Sequence, residues 1–176
     1  MSEYSIERVT PADSNWISQL VNPFTEQQFG IADIIRLTEH STISLAIKCD
    51  GMPVAFAAFS DQPLSQNWPF QNESSTNWDH FLHSESDVGS IFRPWNTLWL
   101  QYFVSKTHEN EAYFQSFLTY IFSTQYQIHS ILCGIKKDLS SVLPPTLFLP
   151  IFQKEEFGIY TARREQIHPA LYRVVL

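Results

Sequence analysis

The chain has 176 residues, of which 44% are apolar, 15% aromatic and only 16% charged, and its formal net charge at pH 7 is −7. This length is typical of one domain with a sizeable core, so residues 1–176 are expected to form a single domain. The acidic balance argues against general nucleic-acid binding, and no apolar run is long enough to span a bilayer. So few charges on so aromatic a chain indicate either a surface covered by another protein or an unusually aromatic core.

The first sixty residues predict a strand, two helices and a hairpin. Residues 4–9 alternate weakly, as a strand does, and Thr10-Pro11-Ala12-Asp13 has the N-cap, proline and acid of a helix start. A second helix is expected from the capping-box pattern Thr25-Glu26-Gln27-Gln28, and Gly30 is a point at which it can divide. Asp50-Gly51 lies between two alternating apolar runs and predicts a β-hairpin.

Residues 61–92 are rich in Pro, Ser, Asn and Gln, yet they carry several large aromatic side chains. A polar linker does not need such side chains, so this stretch is predicted to be a long ordered insertion or flap. Long insertions in compact domains are often functional or make contacts. We therefore expect a partner interface at the aromatic residues of this region, namely Trp68, Phe70, Trp78, Phe81 and Trp95.

The apolar segment that follows the insertion predicts a central strand covered on both faces. Strict alternation places Leu98, Leu100, Tyr102 and Val104 on one face and Trp99 and Phe103 on the other. Beyond this strand, apolar residues from Tyr113 to Phe122 recur every three or four positions, which predicts a helix with one stripe facing the core.

The C-terminal part predicts further strands at residues 128–135, 147–152, 157–162 and 171–176. Arg163-Arg164 is interpreted as an exposed basic pair at a strand end, and Cys49 and Cys133 as buried thiols without a disulfide. The order of strand, two helices, hairpin, central strand, helix and late strands is similar to the acyl-CoA-dependent N-acetyltransferase (GNAT) superfamily. That resemblance implies an α/β (α+β) fold with a mixed central sheet flanked by helices.

In that superfamily the loop after the central strand wraps the CoA pyrophosphate with backbone N–H groups, usually in the pattern Arg/Gln-x-x-Gly-x-Gly/Ala. The corresponding segment here, from Ser105 to Ala112, has no glycine and carries Glu109 and Glu111 where phosphates would lie. A carboxylate at a helix N-terminus already satisfies the helix dipole and repels another anion. We therefore expect no cofactor and no catalytic residue.

A weaker candidate for chemistry is the group Asp79, His80 and His83. Histidines three residues apart can share a helix face and bind a metal. The sequence offers no third His or Cys at a useful spacing, so these residues are interpreted as surface polar groups and no metal site is predicted.

Three stretches carry a more specific resemblance. Phe29-Gly30-Ile31-Ala32-Asp33-Ile34-Ile35-Arg36-Leu37, Phe59-Ser60-Asp61-Gln62-Pro63 and above all Asn96-Thr97-Leu98-Trp99-Leu100-Gln101-Tyr102-Phe103-Val104 resemble the N-terminal domain of cilia- and flagella-associated protein 61. That family belongs to the calmodulin- and spoke-associated complex at the base of axonemal radial spokes. The resemblance implies a location in the axoneme of the cilium or flagellum and radial-spoke or other axonemal proteins as partners. It implies no nucleic acid, membrane or small-molecule substrate.

The leading hypothesis is a non-catalytic structural subunit of the axoneme, with an acetyltransferase-like fold kept as a scaffold for protein–protein interaction. The alternatives are an acyl-CoA-dependent N-acetyltransferase with an unusual loop and an acyl-CoA-binding sensor without chemistry. Members of the resembled family continue into a longer chain, so this sequence is either a short stand-alone relative or an isolated piece. We favour the short relative, because the chain runs from an initiator methionine to an untagged leucine.

Overall fold

The computed structural model describes residues 3–64, 68–70, 74–107 and 110–167. A seven-stranded sheet has the order β1-β2-β3-β4-β5-β7-β6, in which β4 and β5 are parallel and the other neighbours antiparallel. The strands are β1 (Tyr4–Arg8), β2 (Ile43–Cys49), β3 (Met52–Ser60), β4 (Thr97–Ser105), β5 (Ser130–Lys136), β6 (Leu149–Lys154) and β7 (Phe157–Arg163). The helices are α1 (Ser14–Ser18), α2 (Pro23–Phe29), α3 (Ile34–His40), α4 (Trp78–Glu85), α5 (Asn110–Thr124) and α6 (Arg164–Ile167). The predicted mixed α/β architecture is confirmed.

Local hydrogen bonds fix where the first helices begin and end. The Asp13 carboxylate accepts from the Thr10 N–H at 3.1 Å, at the predicted helix start. The second helix begins earlier than predicted, because Asn22 is its N-cap and accepts from the Thr25 N–H at 3.0 Å. Gly30, with a φ of 83°, ends this helix, so the predicted helix is divided into α2 and α3.

The hairpin of β2 and β3 is confirmed at the predicted turn. Asp50 and Gly51 both have positive φ angles, 51° and 84°, as the favoured two-residue turn requires. Cys49 and Met52 pair directly across this turn. The turn thereby fixes the pairing of β2 with β3 next to it.

β4 lies in the middle of the sheet and is covered on both faces, as predicted. On one face Phe103 stacks on Phe114 of α5, with ring centroids 4.1 Å apart. On the other face Tyr102 lies 5.8 Å from the ring of Phe29 in α2. The apolar stripe of α5 is buried against the sheet, which confirms that it belongs to the core.

A β-bulge changes which side chains of β4 share a face. Along β3, Ala58 pairs with Tyr102, whereas Ser60, two residues later, pairs with Trp99, so Gln101 is an extra residue. Residues two apart on a strand share a face, which places Trp99 and Tyr102 together. The predicted faces of β4 are therefore wrong, because strict alternation does not continue across a bulge.

A second set of buried side chains, here called the aromatic cluster, covers the sheet on the side of α4. Its buried members are Trp78, Phe81, Leu82, Phe92, Trp99, Leu132 and Ile159, and Trp68, Phe70, Ile151, Phe152 and Phe157 pack against them. The first three belong to α4, so the described part of the insertion contributes a helix to the core.

Arg164 is fully buried, so the prediction of an exposed basic pair is wrong for this residue. Its guanidinium donates to the carbonyl oxygens of Phe122 at 2.5 Å, Gln125 at 2.8 Å and Ile128 at 2.6 Å. The last carbonyls of a helix have no hydrogen-bond donors within the helix. At the C-terminal end of α5, the Arg164 guanidinium supplies such donors. Arg163 remains partly exposed.

The late strands are confirmed as β6 and β7, although β6 begins two residues after the predicted start. The strand predicted at residues 171–176 lies outside the described residues. In the part of the chain that the structure describes, no helix has the length and apolar character needed to cross a bilayer.

Candidate functional site

β4 and β5 separate after a short parallel pairing. The pairs run from Thr97–Ser130 to Trp99–Leu132, and both strands continue for several residues beyond the last pair. The gap between them, here called the β4–β5 split, lies at the carboxyl ends of two parallel strands. This is the position at which α/β sheets commonly bind ligands. The split is therefore the first candidate for a functional site.

Side chains of the chain itself fill this split. Gly134 of β5 leaves space for Phe157, since a Cβ at this glycine would lie 2.7 Å from the tip of the phenylalanine ring. From the insertion, Trp68 contacts Trp99 edge to face, with ring centroids 6.0 Å apart. The cavity that remains between these rings and Phe29 has a volume of about 10 Å³. That is room for about one water molecule and not for an acyl thioester.

Next to this small cavity lies an open cleft of about 800 Å³, here called the acidic cleft, which is lined by Gly134, Ile135 and Lys136 of β5 and by Phe157. Its wall is formed by Trp68, Phe70, Phe81 and Phe157. Its rim carries the charged residues Glu26, Glu85, Glu155, Glu156, Lys136 and Lys154. A cleft of this size can accept a small molecule or a peptide segment. Four glutamates against two lysines favour a cationic occupant and disfavour phosphate groups.

Three of the six buried side-chain polar atoms without a hydrogen-bond partner in the described residues lie on the same face of the sheet. They are Trp99 Nε1 and Tyr102 OH on β4 and Thr161 Oγ1 on β7, whose residue pairs with Leu132 beside Trp99. Burial and the nearby Glu26 carboxylate raise the pKa of Tyr102 to about 12. A phenol with that pKa stays neutral at physiological pH and is a poor general base. The described residues also contain no group of three His, Cys, Asp or Glu side chains that could hold a metal ion.

The segment after β4 uses some of its polar groups within the protein. The Lys106 N–H donates to the Val54 carbonyl at 2.8 Å. Glu111 is in the first turn of α5, where its carboxylate opposes the binding of a phosphate. His108 and Glu109 lie outside the described residues.

The structure does not bring the five predicted interface residues to one surface. Trp78 and Phe81 are 1% and 7% exposed, and the Trp78 indole N–H donates to the carbonyl of Asp61 at 2.9 Å. Trp68 and Phe70 are half-buried in the wall of the acidic cleft. Trp95 is 67% exposed on the turn before β4. Contact with a partner through Trp78 would require opening the core, and Phe81 presents only a small part of its ring to the acidic cleft, whereas Trp68, Phe70 and Trp95 are accessible.

Two accessible features were missed by sequence reasoning. The glutamates of the acidic cleft come from three separate elements, so no local pattern in the sequence marks them. Tyr126 is 65% exposed in the turn after α5. A single aromatic residue between two glutamines, just past a predicted helix, is the signal by which it could have been found.

Comparisons with known proteins agree with this architecture. A family model described as Cilia- and flagella-associated protein 61, N-terminal domain, matches residues 5–173. The aminoglycoside acetyltransferase AAC(6')-Ib in complex with coenzyme A and kanamycin has a TM-score of 0.60 at 8% identity, covering 96% of this chain and 99% of that chain. FeeM, an N-acyl amino acid synthase from uncultured soil microbes, has a TM-score of 0.58 at 12% identity, covering 98% of this chain and 99% of that chain.

The GNAT domain of S. lividans PAT is also similar, with a TM-score of 0.58 at 8% identity and coverage of 90% of this chain and 89% of that chain. At such low identities these likenesses show the acetyltransferase fold alone. A comparison of the sequence with curated proteins finds no match.

Proposed function

The chain belongs to the family of the N-terminal domain of cilia- and flagella-associated protein 61, and on that premise we propose that it is a non-catalytic structural subunit of the ciliary or flagellar axoneme. It associates with radial-spoke or other axonemal proteins and acts as a scaffold for protein–protein interaction. The filled β4–β5 split is the observation that supports a non-catalytic role most directly.

The filled split opposes acyl transfer on energetic grounds. A thioester that reached Trp99 would have to displace Phe157 and Trp68 from their packing. Burying an aromatic side chain of this kind contributes about 1.5–3 kcal/mol, and that energy would be lost for each ring displaced. Ligand binding would therefore begin with an energetic cost that an open site does not have.

The charges around the acidic cleft also oppose the binding of CoA. A ligand would reach the split through the acidic cleft, whose rim carries Glu26, Glu155 and Glu156. Carboxylates around a concave, partly apolar surface repel the phosphates of CoA. They attract the lysine or arginine side chains of a protein instead.

Accessible aromatic residues support the scaffold role. Trp95 is exposed on a turn, and Trp68 and Phe70 form part of the wall of the acidic cleft. Tryptophan is enriched among the residues that contribute most to protein–protein affinity. A chain with few charges and several accessible aromatic side chains has the composition of an interaction module.

The direct test is fractionation of cilia from cells that express a tagged form of the chain. We expect the chain in the detergent-insoluble axonemal fraction, with release by high salt together with radial-spoke components. Chemical crosslinking of that fraction should connect it to spoke proteins. Recovery of the chain in the membrane-plus-matrix fraction, without crosslinks to axonemal proteins, would contradict the proposal.

A second candidate function is the binding of acyl-CoA, with or without transfer of its acyl group. It is favoured by the acetyltransferase fold and by the unpartnered Trp99 Nε1 and Tyr102 OH, which could hydrogen-bond a ligand. It requires that Phe157 and Trp68 move out of the split. An acetyl-CoA titration separates this candidate from the first.

A further inference from the structure

The apolar wall of the acidic cleft is held in place by contacts among its own rings. Phe70 stacks on Phe81 with ring centroids 4.3 Å apart, and Trp68 meets Phe70 edge to face at 5.0 Å. Phe157 contacts Phe70 from the other side at 5.4 Å. Side chains fixed in this way lose little conformational freedom when a partner binds, so the wall is a preformed surface.

The charged side chains of the rim are free to pair with a partner. All of them are exposed, and none takes part in an ion pair among the described residues. Lys136 and Lys154 both pair with Phe157 across neighbouring strands, which places them beside Glu155 and Glu156 of the β6–β7 turn. Even if these two lysines and two glutamates cancel, two further glutamates of the rim remain.

These two glutamates lie on the side of the cleft formed by α2 and α4. Glu26 is in the first turn of α2, and Glu85 is the last residue of α4, where the helix dipole is also negative. Neither α2 nor residues 61–92 contain a lysine or arginine. This side of the cleft is therefore negative, and the elements that form it supply no cation to balance it.

Two features of the lining suit a polypeptide better than a small cation. The side-chain Nε2 of Gln28 is a buried donor without a hydrogen-bond partner. The backbone of β5 lines the cleft at Gly134 and Ile135, beyond Leu132, the last residue that pairs with β4. A peptide segment has backbone carbonyls and N–H groups that can pair with such donors and with a strand edge, whereas a polyamine has no acceptor when it is charged.

We propose that the acidic cleft binds a basic segment of a partner protein. Its lysine or arginine side chains pair with Glu26 and Glu85, and an apolar side chain of the segment packs on Trp68 and Phe70. A backbone carbonyl of the segment accepts from Gln28 Nε2. The inference rests on the proposed scaffold function, to which it adds the surface and the chemistry of the partner.

The test begins with a selection of short random peptides, displayed on phage, on the purified whole chain at physiological salt. Selected peptides should be enriched in Lys and Arg and contain at least one aliphatic or aromatic residue. Fluorescence anisotropy with labelled synthetic copies of these peptides then measures their affinity. Glu26→Gln combined with Glu85→Gln should weaken binding by about tenfold, because two charge-assisted contacts are lost.

The matched control is Glu3→Gln combined with Glu39→Gln. Both glutamates are exposed, form no ion pair among the described residues and lie outside the cleft, so the net charge changes equally. Distant surface charges are screened at physiological salt, and the control should weaken binding by less than about twofold. All four substitutions replace exposed side chains, so both double variants should keep the thermal midpoint of the wild type.

A further variant separates a peptide from a small polycation. Gln28→Met removes the donor without shortening the side chain, and it should weaken peptide binding by about fivefold without lowering the thermal midpoint. Spermine is the comparison probe, and it should bind more weakly than the peptides. If spermine binds as tightly as the peptides and Gln28→Met has no effect, the cleft is a site for small polycations and the inference is overturned.

The inference is also overturned if the selection yields no binding peptide or yields acidic peptides. Equal weakening by the cleft variant and the control would contradict it too, since binding would then follow net charge alone. Axonemal fractionation stays independent of these results. Failed selection with axonemal retention contradicts this inference alone, whereas absence of the wild-type chain from axonemes contradicts the proposed function.

Discussion

Arg164 donates twice to the carbonyl oxygen of Ile128, from Nε at 3.0 Å and from Nη2 at 2.6 Å. Among the ion pairs of the described residues, Arg163 binds Glu165, whereas no carboxylate binds this buried arginine. Its charge is met by backbone carbonyls at the C-terminal end of α5, where the helix dipole is negative. Burial lowers the pKa of the guanidinium. The side chain thereby connects α5, the turn before β5 and the start of α6.

Replacement of the two neighbouring arginines should have very different consequences. Arg164→Met removes the donors to three buried carbonyls, and we expect it to lower the free energy of unfolding by about 3–5 kcal/mol. Arg163→Met is the matched control. It replaces a partly exposed side chain and should change the free energy of unfolding by less than about 0.5 kcal/mol. Urea denaturation of both variants measures the difference. Equal effects would contradict the role assigned to Arg164.

Replacing Tyr102 with phenylalanine should stabilise the folded protein. Its hydroxyl is buried without a hydrogen-bond partner, so Tyr102→Phe removes a desolvation cost, and we expect the free energy of unfolding to rise by about 1 kcal/mol. Tyr113→Phe is the control, because the Tyr113 hydroxyl lies 3.1 Å from Thr107 Oγ1, and its loss should not stabilise. Thermal unfolding of the two variants gives the comparison, and a destabilised Tyr102→Phe would argue against an unpartnered hydroxyl.

The same tyrosine gives a pH dependence with a defined sign. The pKa of Tyr102 is raised to about 12 in the folded state, whereas an unfolded tyrosine has a pKa of about 10. Its contribution to stability is therefore complete below pH 10 and is lost as the pH rises from 10 to 12. Stability measured across this window should fall less steeply for Tyr102→Phe than for the wild type. Parallel curves would contradict the raised pKa.

The two cysteines should differ in reactivity. Cys133 is buried and its pKa is raised to about 12 by burial, whereas Cys49 is partly exposed, less buried than the sequence predicted. A thiol reagent such as dithiobis-nitrobenzoate should modify one thiol rapidly in the native chain and the second only after unfolding, because the thiolate is the reactive form. Cys49→Ser should remove the rapid phase. A rapid phase that persists in this variant would contradict the burial of Cys133.

Gly89 should tolerate no side chain. A Cβ at this position would lie 1.8 Å from the Leu82 carbonyl oxygen, at the junction between α4 and the turn that follows it. We expect Gly89→Ala to lower the free energy of unfolding by about 3 kcal/mol, since backbone has to move to accept the methyl group. Ser90→Ala, at an exposed position next to it, is the control and should be close to neutral. Chemical denaturation distinguishes the two.

The parts of the fold that could be predicted are those set by neighbouring residues. Asp50-Gly51 specifies a turn through two positive φ angles, and the stripe of α5 specifies a buried helix face. The bulge at Gln101 has no local signal, because it is defined by pairing with β3. Arg164 was misassigned for a similar reason, since its acceptors lie about forty residues earlier in the chain.

The insertion shows where a local signal was present but not used. Trp78, Phe81 and Leu82 have the i, i+3, i+4 spacing of a buried helix face, and they form the inner face of α4. Their sequence context is rich in polar residues, which obscured this spacing. The acidic cleft could not be predicted at all, because α2, α4 and the β6–β7 turn each supply part of its rim.

We propose that the acetyltransferase fold serves here as a scaffold whose β4–β5 split is filled. A thermal-shift titration of the purified chain with acetyl-CoA up to millimolar concentration tests it most directly. We predict no saturable change in the melting temperature, because Phe157 and Trp68 occupy the split and glutamates line its approach. A saturable shift, which at a ligand concentration of about 100 times the dissociation constant corresponds to roughly 2.7 kcal/mol of stabilisation, would contradict the account.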